Sequence, residues 1–198
     1  SRYDAANRSP RRAPRERHRT LATTLVGGAD TCRHPTRSLC CMPPPLLVDL
    51  QQLDLDRVCL TKDEIYERLP HRFEFRLLDG VCMVDLERQR IVAYADIRSE
   101  DWWVRGHVPN RPLLPGVLML EMAAQASAVL AKLRGCDTFI GFGGVDDCKF
   151  RETVVPPARL FIIGVGVDFR PRRIVSDTQG VMDGKLVFEA RITGLTIR

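Results

Sequence analysis

The sequence contains no Cys-x-x-Cys pair, although seven of its 198 residues are cysteine. An odd number of widely spaced cysteines does not make a disulfide framework, and it indicates reduced thiols in a cytosol-like compartment. One group has the residue types of a metal site, Cys32, His34, Cys40 and Cys41, but adjacent cysteines rarely give tetrahedral geometry. We therefore predict a cytoplasmic protein without a metal site.

No positively charged start leads into a continuous apolar segment in the residues given, so we do not expect secretion. Residues 1–45 instead hold nine arginines and three acids among serine, proline and threonine. This composition, with little apolar periodicity, predicts a disordered basic tail. The alternative interpretations of the tail are an organelle transit peptide and a polybasic arm that binds nucleic acid or anionic lipid.

Net basic charge is absent from the rest of the chain, since residues 46–198 hold 21 bases and 22 acids. These residues also lack the interleaved basic and aromatic side chains of nucleic-acid-binding domains. The apolar share of the whole chain, 44%, is that of a globular protein. We therefore expect one folded domain over residues 46–198 that binds no nucleic acid.

Helix and strand signals alternate along this domain. Thr61 and Glu64 form a capping-box pattern, which predicts a short helix that ends before Pro70. Asp183-Gly184 predicts a tight hairpin, and Gly194 is expected to form a bulge in the last strand. Apolar composition and period-two alternation predict strands within six segments: 72–86, 90–98, 138–152, 158–169, 173–182 and 185–197.

One long apolar segment separates these strands. Residues 116–134 contain no helix breaker, and apolar side chains lie on nearly all sides of the predicted helix. A membrane span is the rival interpretation, but Glu121, Gln125 and Ser127 argue against burial in lipid. A helix that is apolar all round needs cover on all sides. We therefore predict an α+β fold in which a curved antiparallel sheet wraps around this helix.

The loop that leads into the helix carries residues suited to chemistry. Three prolines stiffen the loop that begins at His107, and a stiff loop holds a side chain still. Glu121 lies among apolar residues, so we expect burial to raise its pKa, with Gln125 one turn later to orient it. Gly116 opens the helix, where free backbone N–H groups can bind a carbonyl oxygen. These are the groups needed to remove a proton next to a thioester carbonyl and expel a β-hydroxyl.

Two motifs resemble a known family, the β-hydroxyacyl-(acyl carrier protein) dehydratases of the FabZ and FabA type. Leu69–Phe73 reads L-P-H-R-F, and Gly106–Gln125 is similar to the signature G-H-F-P-x-x-P-x-x-P-G-V-x-x-x-E-x-x-A-Q. The resemblance implies a hot-dog fold and the dehydration of 3-hydroxyacyl thioesters on acyl carrier protein to trans-2-enoyl thioesters, without a cofactor. It also implies that His107 is the base and that Glu121 is the acid, with substrate bound by Gly116, Val117 and Gln125.

The resemblance further implies a homodimer, or a hexamer of three dimers, in which the histidine and the acid of one site come from different subunits. Departures from the motifs at Glu74, Val108 and Asn110 fall on the tunnel wall and turns and leave His107 and Glu121 unchanged. Glutamate at position 121 is similar to the FabZ branch, so isomerase activity is not expected.

Two other classes of function remain open at this point. One is a hot-dog enzyme of other use, such as a thioesterase or a hydratase that acts on coenzyme A esters. The other is a non-catalytic acyl-binding protein. His71, beside Arg72 near a helix end, is expected to have a capping or packing role.

Overall fold

The structure is a computed structural model that describes residues 44–197. The predicted tail, residues 1–45, lies almost entirely outside the described residues, and so does the group from Cys32 to Cys41. The boundary of the folded domain at residue 46 stays a prediction.

The first helix, α1 (Lys62–Arg68), begins as its capping box predicts. The Glu64 N–H donates to the Thr61 hydroxyl at 3.4 Å, and the Thr61 N–H donates to the Glu64 carboxylate at 2.7 Å. These two bonds satisfy donors that an uncapped helix would leave free. At the other end, Arg72 donates to the carbonyls of Tyr66 and Leu69. Arg72 therefore caps the helix, so of the capping or packing role expected of His71 the capping part is wrong.

All strand pairs of the sheet are antiparallel, in the order β1-β2-β3-β5-β6-β7-β4. β4 is an edge strand that pairs with β7. The strands are β1 (Leu60–Thr61), β2 (Gly80–Asp85), β3 (Arg90–Ile97), β4 (Phe139–Phe150), β5 (Ala158–Arg170), β6 (Arg173–Met182) and β7 (Lys185–Ile197).

Two sequence predictions about the strands are wrong in detail. Strand β2 begins at Gly80 rather than near residue 72, because the chain first makes a 3-10 turn over Phe73–Phe75. Phe73 has a φ of 53°, a left-handed conformation that a strand does not contain. Gly194 pairs in register with Ile174, and the register shift next to it comes from β4. The side chains after Gly194 fall out of phase with the apolar ones before it because they lie on the other face of the sheet.

The predicted hairpin between the last two strands is confirmed. Met182 pairs with Lys185, so Asp183 and Gly184 form a two-residue turn. Both have positive φ, 50° and 72° respectively. A two-residue turn with left-handed residues matches the right-handed twist of the strands that it joins.

The long helix, α2 (Gly116–Leu133), packs on the inner face of the sheet against β3, β5, β6 and β7. Its length and its mean hydropathy of 1.4 would suit a membrane span, but 61% of it is buried inside the described protein. Its buried residues join those of α1 and the strands in one apolar core. The predicted α+β hot-dog fold, a curved antiparallel sheet around one central helix, is confirmed.

The outer face of the sheet carries a second, smaller apolar cluster. Val48 and Leu50, which precede β1, pack there against residues of β2, β3, β5 and β6. The buried amide of Gln179 fastens this segment, since its oxygen accepts the Leu47 N–H at 2.8 Å and its nitrogen donates to the Pro45 carbonyl at 3.2 Å. The segment from Pro45 to Leu50, which precedes β1, therefore packs against the sheet.

Candidate active site

Glu121 lies about one and a half turns into α2, where its carboxylate meets two nitrogen donors. Gln125 Nε2 donates to Glu121 Oε1 at 2.8 Å. His71 Nε2 lies 3.1 Å from the same oxygen. Both donors approach from within the chain, because Gln125 is one turn further along α2 and His71 follows α1. The prediction that Gln125 orients Glu121 is consistent with this geometry.

Gln125 is itself held by a buried chain of hydrogen bonds. Its side-chain oxygen accepts the Tyr66 hydroxyl at 2.6 Å, and its nitrogen also donates to the Phe75 carbonyl at 2.9 Å. The Tyr66 oxygen in turn accepts the Leu78 N–H at 2.8 Å. Tyr66, Leu78 and Gln125 are all at most 4% exposed. A network in which every member has a partner fixes the position of Glu121.

Replacing Tyr66 by phenylalanine is expected to lower the free energy of unfolding by about 1–3 kcal/mol. The Leu78 N–H and one acceptor site of Gln125 would then be buried without partners. The measurement is urea denaturation of the variant beside wild type. Tyr94→Phe is the matched control, because Tyr94 is a half-buried tyrosine of β3 that lies outside the network. Equal losses in the two variants would contradict the role of the network.

The expectation that burial raises the pKa of Glu121 is wrong for the isolated chain. Hydrogen bonding to His71 lowers the pKa of Glu121, and the Gln125 amide adds to this effect. Desolvation acts in the opposite direction but is outweighed by these donors. Glu121 is therefore a carboxylate at neutral pH in the isolated chain.

His107 lies at the exposed start of the loop before α2. Its Nδ1 lies 2.9 Å from the Leu113 carbonyl, so the loop holds the ring through one polar contact. Asn110, one of the positions that depart from the family pattern, has a φ of 65°. Asparagine tolerates this left-handed conformation better than most residues, so the substitution preserves the shape of the loop.

The N-terminus of α2 presents free backbone donors. The N–H groups of Gly116 and Val117 have no acceptor among the described residues, whereas those of Leu118 and Met119 donate to the Pro115 carbonyl. Val117 is 72% exposed. Free N–H groups at the positive end of a helix dipole suit an anionic oxygen.

A small cavity of about 60 Å³ lies beside Glu121. Its polar lining comes from His71, Glu121, Gln125, Ser127 and Thr193, and the rest comes from apolar residues and glycines of α2, β4, β6 and β7. His107 does not line this cavity, so one chain brings together Glu121 and Gln125 but not the predicted base. Within residues 44–197 no three histidine, cysteine or acidic side chains are grouped as metal ligands.

Sequence reasoning missed the contact of His71 with Glu121. A signal was available, because a carboxylate on an apolar helix needs a nearby donor and residues 46–198 contain only two histidines. The L-P-H-R-F motif also placed His71 within the family resemblance. The sequence alone could not show that residue 71 lies close to the second turn of α2.

Comparison with known proteins gives the same family as the motifs. The profile of the FabA-like domain matches residues 69–191. The 3-hydroxyacyl-[acyl-carrier-protein] dehydratase FabZ of Protochlamydia amoebophila is 35% identical over 131 residues, which cover 66% of this chain and 85% of the relative. The enzyme of the same name from Enterococcus faecalis is 37% identical over 138 residues, with 68% and 96% covered.

A solved structure supports the fold independently. The dehydratase heterocomplex ApeI:P from Xenorhabdus doucetiae aligns with a TM-score of 0.58 at 16% identity, over 68% of this chain and 91% of that one. The profile match, the two relatives and the L-P-H-R-F and G-H-V-P motifs agree with one another. This chain belongs to the FabA-like domain family.

Proposed function

We propose that this protein dehydrates 3-hydroxyacyl thioesters carried on acyl carrier protein and releases trans-2-enoyl thioesters for fatty-acid or lipid synthesis. The observation that carries the proposal is the identity of 35–37% to two FabZ dehydratases, over residues that include the whole candidate site. The reaction is a hydro-lyase reaction that needs a base, an electrophilic site for the carbonyl and a group that assists the leaving hydroxyl.

His107 is the proposed base. A neutral imidazole removes the proton from the α-carbon, and the electron pair of the broken C–H bond moves toward the thioester carbonyl. The free N–H groups of Gly116 and Val117 would stabilise the enolate oxygen that forms. When the enolate collapses, the C–O bond to the β-hydroxyl breaks and the double bond is made.

Glu121 is the proposed acid for the leaving hydroxyl. Its protonated form, which is the minor form in the isolated chain, gives a proton to the hydroxyl so that water leaves. A bound acyl chain would displace water around Glu121, and desolvation would raise the share of the neutral acid. His107 has by then gained the proton of the α-carbon and Glu121 has lost one, so the passage of a proton from His107 to Glu121, directly or through solvent, restores both groups for the next turnover.

The assembly that we propose is a homodimer, or a hexamer of three dimers, with His107 of one subunit facing Glu121 of another. The separation of these residues within one chain supports this arrangement. So does β4, a 12-residue edge strand with exposed apolar side chains. These side chains include Phe139, Phe142 and Phe150. A second copy that covers β4 would remove exposed apolar surface and satisfy its free backbone groups.

The remaining parts of the proposal concern the context of the domain. We propose a cytoplasmic enzyme that binds neither nucleic acid nor membrane, with residues 46–198 as the catalytic domain. The near-neutral charge of those residues supports this view, since the excess of arginine lies in residues 1–45.

The experiment that tests the reaction follows the absorbance of the enoyl thioester when the protein meets 3-hydroxyacyl carrier protein. Wild type is expected to turn over, and Glu121→Gln is expected to lose about 10²- to 10⁴-fold in kcat. Glu67→Gln is the matched control, because Glu67 is an exposed residue of α1 and its variant should keep full activity. Hydrolysis to the free acid, or binding without turnover, would overturn the dehydratase assignment.

A further inference from the structure

His71 is fixed at the cavity wall by the chain around it. Arg72 Nη1 donates to the carbonyl of His71 at 2.7 Å, and also to those of Leu69 and Tyr66 at 2.8 and 3.0 Å. The single guanidinium nitrogen therefore ties the loop to the last turn of α1. The side chain of His71 lines both the cavity beside Glu121 and an adjoining cavity of about 230 Å³.

The two ring nitrogens of His71 have different surroundings. Nε2 lies 3.1 Å from Glu121 Oε1, whereas Nδ1 is buried and has no hydrogen-bond partner within residues 44–197. A hydrogen on Nε2 lets the ring donate to Glu121 Oε1.

The carboxyl group of Glu121 is held through one oxygen only. Oε1 accepts from both His71 and Gln125, and no donor of the described chain reaches Oε2. Oε1 is therefore already engaged by two donors, which leaves Oε2 free. Oε2 is then the oxygen available to the substrate in both protonation states.

We propose that His71 is a positioning residue that, with Gln125, holds Glu121 Oε1 and presents Oε2 to the β-hydroxyl of the substrate. The inference rests on the proposed dehydratase function. It adds a residue outside the pair of His107 and Glu121, and it assigns different tasks to the two carboxyl oxygens. His71 acts through Glu121 and does not itself exchange a proton with the substrate.

Few other charges face this pair. His71 and Glu121 are the titratable residues in the lining of their shared cavity. Arg68, Lys132 and Asp137 line the adjoining cavity on the far side of the His71 ring. Beyond Gln125 lies the Tyr66 hydroxyl, whose pKa burial raises, with Arg76 over its ring at 5.0 Å. The donors at Oε1 therefore dominate the titration of Glu121.

The test compares His71→Gln with His71→Asn. Glutamine places an amide nitrogen near the position of the imidazole Nε2, whereas asparagine is too short to reach Glu121. We expect kcat with 3-hydroxyacyl carrier protein to fall about 10- to 100-fold in His71→Asn with KM within about threefold, and to stay within about fivefold in His71→Gln. In the Glu121→Gln background, His71→Asn should cause no further loss.

A second readout does not depend on turnover. The titration of the ¹³C-labelled carboxyl of Glu121 should move to higher pH in His71→Asn and much less in His71→Gln, because a donor to the charged form is lost. The limb of the pH–rate profile that belongs to Glu121 should move with it. Equal rates and an unmoved titration in His71→Asn would overturn the role of His71. A wild type that gives no enoyl product would overturn the dehydratase function, whatever the titration shows.

Discussion

Replacing His107 by alanine is expected to reduce kcat/KM for 3-hydroxyacyl carrier protein by about 10³-fold or more. The proposed mechanism has no second base, since His71 only positions Glu121, and loss of a general base typically lowers the rate by about 10²- to 10⁴-fold. Stability should change little, because His107 is exposed and makes one polar contact, with the Leu113 carbonyl. Thermal unfolding of the variant supplies that control. A variant that keeps a tenth of the wild-type rate would refute the assignment.

The same variant tests the proposal that subunits share their sites. The His107→Ala and Glu121→Gln proteins are mixed in equal amounts, unfolded together and refolded. The mixture should then show about a quarter of the wild-type rate. Half of the dimers would then be mixed, and each of these would hold one complete site of two. If the base and the acid belonged to one subunit, mixing would restore nothing.

Replacing Phe188 by alanine is expected to lower the free energy of unfolding by about 3–5 kcal/mol. The ring is fully buried in β7, and its neighbours fit it closely. A Cβ on Gly180 of the paired strand would come within 2.2 Å of the ring, and the Phe150 ring lies 6.2 Å away. Strands paired on both sides of β7 cannot close over the void, so the cavity persists.

Urea denaturation measures this loss, and Phe73→Ala is the matched control. Phe73 is 86% exposed, so its truncation should change stability by less than about 0.5 kcal/mol. The ring of Phe150 also packs over Gly116, since a Cβ added to this glycine would lie 2.9 Å from the Phe150 ring. The Phe188 variant should therefore lose some activity even in buffer without urea, because the start of α2 loses part of its support. Equal stabilities of the two variants would contradict the packing role of Phe188.

The parts of this fold that are set by local rules could be predicted from the sequence. The capping box at Thr61, the run of helix formers after Pro115 and the Asp183-Gly184 turn each act over a few residues. The structure contains all three. The wrapping of the sheet around α2 followed from a single physical need, the cover of an apolar helix on every side, but the order of the strands did not.

Features that depend on distant contacts could not be predicted in this way. The pKa of Glu121 follows from His71, 50 residues away in sequence, and burial alone suggested the opposite direction. The 3-10 turn at Phe73 depends on the loop that Arg72 ties to α1. The outer cluster around Val48 needs Gln179, which is far along the chain. Each of these is a tertiary contact that overrides a local expectation.

The open edge of β4 has a consequence for the freshly made chain. An exposed strand edge with large apolar side chains can pair with the edge of any other chain and start aggregation. Asp146 and Asp147 interrupt the second half of the strand with charge and a shift in register. That half is poorly suited to flat stacking, whereas the half from Phe139 to Val145 has a register shift after Phe142 but no charged side chain. Aggregation of diluted or overproduced protein should therefore begin at Phe139 and Phe142, and a lysine at either position should delay it.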